Sequence, residues 1–250
     1  AALAVDRLHR LIEANRLAYR DRNAFIADPK FSDVPLATLL SKDYAKALTA
    51  GIDPLKAATN LPPAGMTRHA DTVYISVVDE DGNACSFINS LFKGFGSGIV
   101  AAKSGVVLQN RGFGFVLEEG HPNQIAPNKR PMHTIIPGML AKDGAAVMPF
   151  GVMGGHFQPI GQSYVLSSML DFGLNPQEAL DLPRIFAYDG IVETENGIDA
   201  ATSAVLAQRG HVLQRLQSPH GGGQAIWIDQ ASGTLVGGSD PRKDGLALGY

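Results

Sequence analysis

Asp71-Thr-Val-Tyr-Ile-Ser-Val-Val-Asp79, then Glu80-Asp-Gly-Asn83, then Ala84-Cys-Ser-Phe-Ile-Asn-Ser90, is the stretch whose reading decides the fold. Both arms are rich in β-branched and aromatic residues, and the Asp-Gly between them is a strong hairpin signal. With the turn at Asp81-Gly82, opposing residues sum to about 163, so Thr72 is expected to face Leu91 with Ser90 beside it. Two hydroxyl residues thus meet at the open end of the hairpin. The arms are apolar on both faces, which predicts a sheet covered on both sides. The single cysteine, Cys85, lies in this run and is expected as a small buried strand residue. One cysteine allows neither an intrachain disulfide nor a cysteine-based zinc cluster.

Upstream, Asn60-Leu-Pro-Pro-Ala-Gly65 cannot continue a helix and reads as a linker. Before it, Val5, Leu8, Leu11 and Ile12 recur at helical spacing and predict a helix to about Arg20. Ser41 and Gly51 predict the two caps of a second helix. Downstream, strands are expected at 105–108, 135–140, 147–152, 190–193, 225–228 and 234–238. Helices are expected at 158–172, stopped by Gly173, and at 200–209, stopped by Gly210. Asn175-Pro176 should open a short helix through Leu182. Strands in adjacent runs followed by blocks of helix favour a layered α+β fold with an antiparallel sheet.

The 250 residues are 45% hydrophobic with a net charge of −3, an ordinary globular composition near the upper size for one core. Neither nucleic acid nor a membrane is implied as a partner, because no basic face is forced and no apolar run is long enough to span a bilayer. The chain opens at Ala1 inside a helical pattern, without a methionine, and is expected to be the C-terminal piece of a longer precursor.

A threonine hydroxyl is a weak nucleophile without an adjacent base. One solution is to cut the preceding peptide bond, so that the threonine's own α-amine takes the hydroxyl proton. His69-Ala70-Asp71 runs directly into Thr72, and a cut at Asp71–Thr72 would expose such an amine. Met153-Gly154-Gly155 lies between a strand and a helix, where backbone amides can face a developing oxyanion. Each signal has a plain structural reading: a threonine opening a strand, and a tight glycine turn.

Further stretches join these two. Phe95-Gly-Ser-Gly-Ile99, Pro127-Asn-Lys-Arg-Pro131, Gly151-Val-Met-Gly-Gly155, Ala179-Leu-Asp-Leu-Pro-Arg184, Ser239-Asp-Pro-Arg242 and Gly249-Tyr250 follow the Thr72 strand in order. Together they resemble the gamma-glutamyltransferase family from about Thr72 to the last residue. Residues 1–70 resemble the end of that family's large subunit. The resemblance implies an N-terminal-nucleophile (Ntn) hydrolase αββα sandwich, made as one precursor and self-cleaved. Residues 1–71 would then be the tail of the large subunit with its processing linker, and 72–250 the small subunit. It also implies Thr72 as nucleophile, Ser90 as the hydroxyl contacting it, and Gly154 and Gly155 as the oxyanion hole. The partners implied are a small amide substrate and the rest of the same precursor, with homo-oligomers of the heterodimer left open. No metal and no organic cofactor is implied.

The departures bear on substrate. Phe92 stands where the family has an asparagine that holds the glutamyl group. Arg111 and Gly114 replace a glutamine and an aspartate near the substrate's α-carboxylate and α-amine. His133-Thr134 replaces a serine pair that binds the carboxylate. Loss of the aspartate removes a partner for an ammonium, and an arginine adds a fork suited to a carboxylate. The runs Asn110–Phe113 and Gly154–Pro159 look like the branch with cephalosporin acylase-like and oxamate amidohydrolase-like proteins. An amidohydrolase for a carboxylate-bearing acyl group without an α-amine is the first expectation. A true gamma-glutamyl transpeptidase, and an uncleaved non-catalytic homologue, are the alternatives. Among the remaining polar residues, Arg111 also reads as an ordinary surface arginine, His220-Gly-Gly-Gly-Gln224 as a turn, and Asp240-Pro-Arg242 as a structural pair.

Overall fold

The computed structural model describes residues 1–61 and 71–250, with the backbone alone at Asp71. Pro62–Gly65 of the expected linker lies outside the described residues. In chain order the elements are α1 (Val5–Phe25), α2 (Leu36–Leu39), α3 (Lys42–Ala50), β1 (Asp71–Val78), β2 (Ala84–Phe92), β3 (Gly138–Lys142), β4 (Ala145–Met153), α4 (Gln158–Phe172), α5 (Pro176–Asp181), β5 (Ile185–Tyr188), β6 (Ile191–Thr194), α6 (Ala200–Gln208), β7 (Leu213–Arg215), β8 (Gly222–Ile228) and β9 (Leu235–Ser239). None of the described helices is long and apolar enough to cross a membrane.

These elements form two compact units that interleave along the chain. One takes residues 1–61, 111–133 and 185–217; the other takes 71–110, 134–184 and 218–250.

In the first unit α1 is the core helix. Its buried Leu8, Ile12 and Tyr19 follow the helical repeat, and Tyr19 meets Phe186 of β5 edge-on at 5.8 Å. Asn15 Nδ2 donates to the Ala187 carbonyl (2.6 Å), closing the same seam. The helix runs one turn beyond the expected Arg20, because side chains in the charged run support it: Arg20 pairs with Asp21, and Arg22 lies over the Tyr19 ring. A buried histidine pair ties three segments together. His9 accepts or donates across 2.8 Å to His211, and its other nitrogen donates to the Asp53 carbonyl. Burial first, and His9 second, push His211 down to about 4.

The second unit is layered. β1 and β2 form a two-stranded antiparallel sheet, and β3-β4-β8-β9 form a four-stranded one. Side chains of β4 alternate between its faces. Gly151 faces the hairpin, where a Cβ would strike the Tyr74 ring at 2.4 Å, so only glycine admits that ring. Val152 faces the other way, onto Phe157 and Gly161 of the α4 region. The hairpin therefore covers one side of the four-stranded sheet and α4 with α5 the other. Tyr74 and Ser86 share a hydroxyl hydrogen bond of 2.6 Å on the inner face, and Ser86 Oγ donates to the Phe150 carbonyl.

The sequence expectations meet the structure unevenly. Ser41 caps α3, with the Tyr44 amide donating to Oγ, and Asn175 closes a capping box with Glu178. Gly173 and Gly210 end their helices with φ of +71° and +98°. The hairpin register differs by one: Thr72 pairs with Ser90 itself, not with Leu91. The loop holds three residues, 80–82, between the paired Asp79 and Asn83, with Gly82 left-handed at φ +79°. Among the described residues none covers the outer hairpin face: Val73, Ile75, Val77 and Phe87 are exposed, and so is Cys85, which was expected buried. Residues 105–108 form no strand. A single bridge joins Val100 and Val107 around a turn. Two short strands, β5 and β7, went unforeseen; β7 has three residues and pairs parallel to β6.

Candidate functional site

At the open end of the hairpin, Thr72 Oγ1 donates to Ser90 Oγ at 3.2 Å. The pairing follows from the register, which sets the two residues opposite each other. Ser90 Oγ also accepts from the Phe92 amide at 2.9 Å. One serine oxygen thus holds both the threonine hydroxyl and the backbone two residues along its own strand. Between Thr72 and Asp71 the register slips, because Asp71 pairs with Phe92 and leaves Leu91 bulged.

In the same unit β4 ends at Met153 and the chain turns through Gly154 and Gly155, with φ of +117° and +56°. These angles, and a Gly221 Cα 3.1 Å from where a Gly154 Cβ would stand, require glycine. A 3-10 turn (Gly155–Phe157) leads into α4, and the Phe157 amide donates to the Gly154 carbonyl at 3.0 Å. His156, half-buried, presents its ring to Phe92 edge-on at 6.4 Å. Phe157 stacks on His220 at 4.9 Å, and the Arg184 guanidinium lies 5.7 Å from the Phe157 ring.

Arg184 is the support that the sequence reading missed. It is buried, donates to the His220 carbonyl, and pairs with the buried Asp240 carboxylate. Asp240 also accepts from the Gly223 amide and from Arg242, as expected of a structural Asp–Arg pair. The run His220–Gln224 is a turn leading into a strand: the left-handed Gly221 (φ +59°) abuts Met153 and Gly154, and β8 begins at Gly222. Removing one partner of such a buried ion pair typically costs 3–5 kcal/mol, so this knot fixes the glycine turn from behind.

Thr134 also belongs to this unit and is buried. Arg111, Gly114 and His133 belong to the other. Arg111 opens a 3-10 turn (Arg111–Gly114), is 3% exposed rather than a surface arginine, and is held below its ordinary pKa by desolvation. His133 is exposed, and its pKa lies below the ordinary value through partial desolvation first and the Arg111 charge second. The buried Asn123 staples these segments: its amide donates to the Gly114 carbonyl (2.6 Å) and its oxygen accepts from the Met132 amide. Lys129 and Arg130 serve the same unit's loops, through the Pro122 carbonyl and Asp28. Among the described residues no group of three His, Cys, Asp or Glu side chains gathers closely enough to hold a metal ion.

Thr72, Ser90, Phe92, Thr134, Gly154 and Gly155 thus share one unit, and Arg111, Gly114 and His133 share the other. That unit therefore carries both a threonine hydroxyl with a polar neighbour and a glycine turn at a strand-to-helix junction.

Comparison with known proteins points the same way. The chain is 39% identical to the glutathione hydrolase-like YwrD proenzyme of Bacillus subtilis, over 96% of its own length and 47% of the relative's. It is 35% identical to the oxamate amidohydrolase proenzyme of Klebsiella pneumoniae, over 97% and 47%. The crystal structure of a cephalosporin acylase from Bacillus halodurans superposes with a TM-score of 0.89 at 39% identity, over 99% of this chain and 46% of that one. The chain therefore spans about half the length of the relatives it matches, and its fold is that of the Ntn-hydrolase acylases. The gamma-glutamyltranspeptidase family model matches residues 2–250, and the chain belongs to that family.

Proposed function

We propose that this chain is the catalytic portion of a self-processing amidohydrolase that works through an acyl-enzyme on Thr72. The observation that carries the reading is the Thr72–Ser90 hydroxyl contact of 3.2 Å at the first turn of the nucleophile strand, in the unit that also holds the Gly154-Gly155 turn. Cleavage of the Asp71–Thr72 peptide bond by water frees the Thr72 α-amine. The amine takes the hydroxyl proton as Oγ1 attacks the substrate's amide carbon. Amides of the Gly154-Gly155 turn donate to the oxyanion of the tetrahedral intermediate, a contribution typically worth 10²–10³ in rate per donor. Collapse breaks the C–N bond, the proton passes to the leaving amine, and an ester on Thr72 remains for water or an acceptor amine. Ser90 orients the hydroxyl throughout.

The residues 1–71 and 72–250 are the two sides of that processing boundary, within a longer precursor. The names of the relatives support this, since both curated ones are proenzymes and the chain matches about half of each. The exposed apolar face of Val73, Ile75, Val77 and Phe87 suits the remaining precursor segment as the layer that covers it.

For the acyl donor, we infer a carboxylate-bearing acyl group without an α-ammonium, with Arg111 as carboxylate partner and His133-Thr134 as further substrate-binding residues. Gly114 offers no anion to pair with an ammonium. The relative named for oxamate, a carboxylate-bearing amide without an ammonium, fits that class. A gamma-glutamyl donor is the second reading, favoured by the relative named glutathione hydrolase-like.

The deciding experiment is an intact mass spectrum of the complete gene product beside Thr72→Ala. Two fragments meeting at Asp71–Thr72, absent in the variant, are expected. A single uncut chain in both would sink the mechanism and leave a non-catalytic homologue. Arg111→Ala should raise KM for a carboxylate-bearing donor; an unchanged KM would refute the anchor.

A further inference from the structure

We propose that Phe92 is a positioning residue: its backbone holds the Thr72–Ser90 pair and its ring braces the Gly154-Gly155 turn, so that it sets the spacing between nucleophile and oxyanion donors without touching substrate. The inference rests on the reading of Thr72 and the glycine turn given above.

The backbone argument comes first. The bulge at Leu91 puts Phe92 at φ +81°, a conformation that bulges of this kind usually assign to glycine. The other non-glycine residues at positive φ among the described residues are Asn128, Asp143 and Asp189, whose short polar side chains suit the left-handed region. Phenylalanine has no such side chain. A glycine would adopt the angle without strain, so what the strain retains is the ring. Strain of this kind persists only where the surroundings over-determine it.

The contacts do so. The Phe92 amide donates to Ser90 Oγ at 2.9 Å, and the same oxygen accepts from Thr72 Oγ1. The ring meets the His156 ring edge-on, with planes at 86°, and His156 directly follows Gly155. A continuous chain of contacts therefore runs from the threonine hydroxyl through Ser90 and Phe92 to the glycine turn, all inside one compact unit. Phe92 is also only 3% exposed, which leaves little of the ring to meet a substrate. This departs from what the resemblance implies, where the matching asparagine contacts the acyl group. Phe92 has moved from holding substrate to holding the machinery.

The test uses the full-length precursor and two chromogenic donors, glutaryl- and γ-glutamyl-p-nitroanilide. Phe92→Leu keeps bulk but loses the ring edge; His156→Ala removes the partner; His156→Phe keeps an aromatic edge. Phe92→Leu and His156→Ala should lower kcat about 10- to 100-fold on whichever donor turns over, with KM within about twofold. His156→Phe should return kcat to within about threefold of wild type. A donor preference shifted about tenfold or more in Phe92→Leu would make Phe92 a substrate contact and overturn the proposal. An unchanged kcat would reduce the ring to core packing and overturn it as well. Should Phe92→Leu fail to fold, the two His156 variants decide alone: equal loss in both removes the brace. Wild-type protein incubated with donor should show an acyl adduct on Thr72 by mass. Without that adduct both readings fall; with it, a negative result among the variants sinks only the role of Phe92.

Discussion

Gly82 and Phe92 stand at opposite ends of the β1–β2 hairpin with nearly the same φ, +79° and +81°. At the turn end glycine supplies the angle at no cost, and nothing lies within 4 Å of where its Cβ would be. At the open end phenylalanine takes the same angle against its preference, with its amide on Ser90 and its ring buried. The turn end solves a folding problem: Asp79 accepts from the Asp81 and Asn83 amides and from the Asn83 side chain, and so closes the loop locally. The open end holds strain beside the two hydroxyls. Strain placed where folding does not need it is a mark of function.

That contrast makes substitutions at the two ends separable. Thr72→Ala, in the complete precursor, should abolish self-cleavage and lower turnover by ~10³-fold or more, while leaving Tm within a few degrees. Mass spectrometry and a donor assay check it. Ser90→Ala comes next. It removes the acceptor for both the Thr72 hydroxyl and the Phe92 amide, and kcat should fall about 10- to 100-fold, the equivalent of one or two hydrogen bonds. If Ser90→Ala leaves kcat intact, the open end is no more functional than the turn.

How much of this the residues announce depends on the range of the interaction. The hairpin is legible because β-branched arms and Asp-Gly are local signals. Its register is off by one because Asp79 and Asn83 pair, a detail of loop hydrogen bonding that the Asp-Gly dipeptide does not carry. Thr72, Ser90, Gly154 and Gly155 could be named from motifs; of the other expected positions Arg111, Thr134 and Phe92 are buried, whereas His133 is exposed. The Arg184–Asp240 pair was beyond reach: it joins residues 56 apart in sequence, and only the tertiary fold makes them neighbours. The left-handed Phe92 was equally hidden, since no sequence rule places an aromatic residue there. Cys85 misled because alternation gives the spacing of the two faces but not which face is covered.

Gly82→Ala tests the turn end directly. Its Cβ meets nothing, so the only cost is the left-handed backbone, about 1 kcal/mol, with a modest drop in Tm and no change in kcat. An activity loss as large as that of Ser90→Ala would show that the ends are coupled and would dissolve the contrast.

The smallest effect belongs to Asp79. The Asn83 side chain and then its amide hold the Asp79 carboxyl below its ordinary value of 3.8. A group depressed in the folded state binds fewer protons there than in the unfolded chain, so its stabilisation is complete above the unfolded value and fades as pH falls through the folded one. Asp79→Ala should therefore lower Tm slightly at pH 7, and the gap from wild type should close as the pH is taken below 3.8. Turnover should be untouched at neutral pH. A gap that stays constant across that range would mean that the side chain acts through shape alone. A gap that opens in acid would reverse the sign of the linkage and place the carboxylate's partner elsewhere.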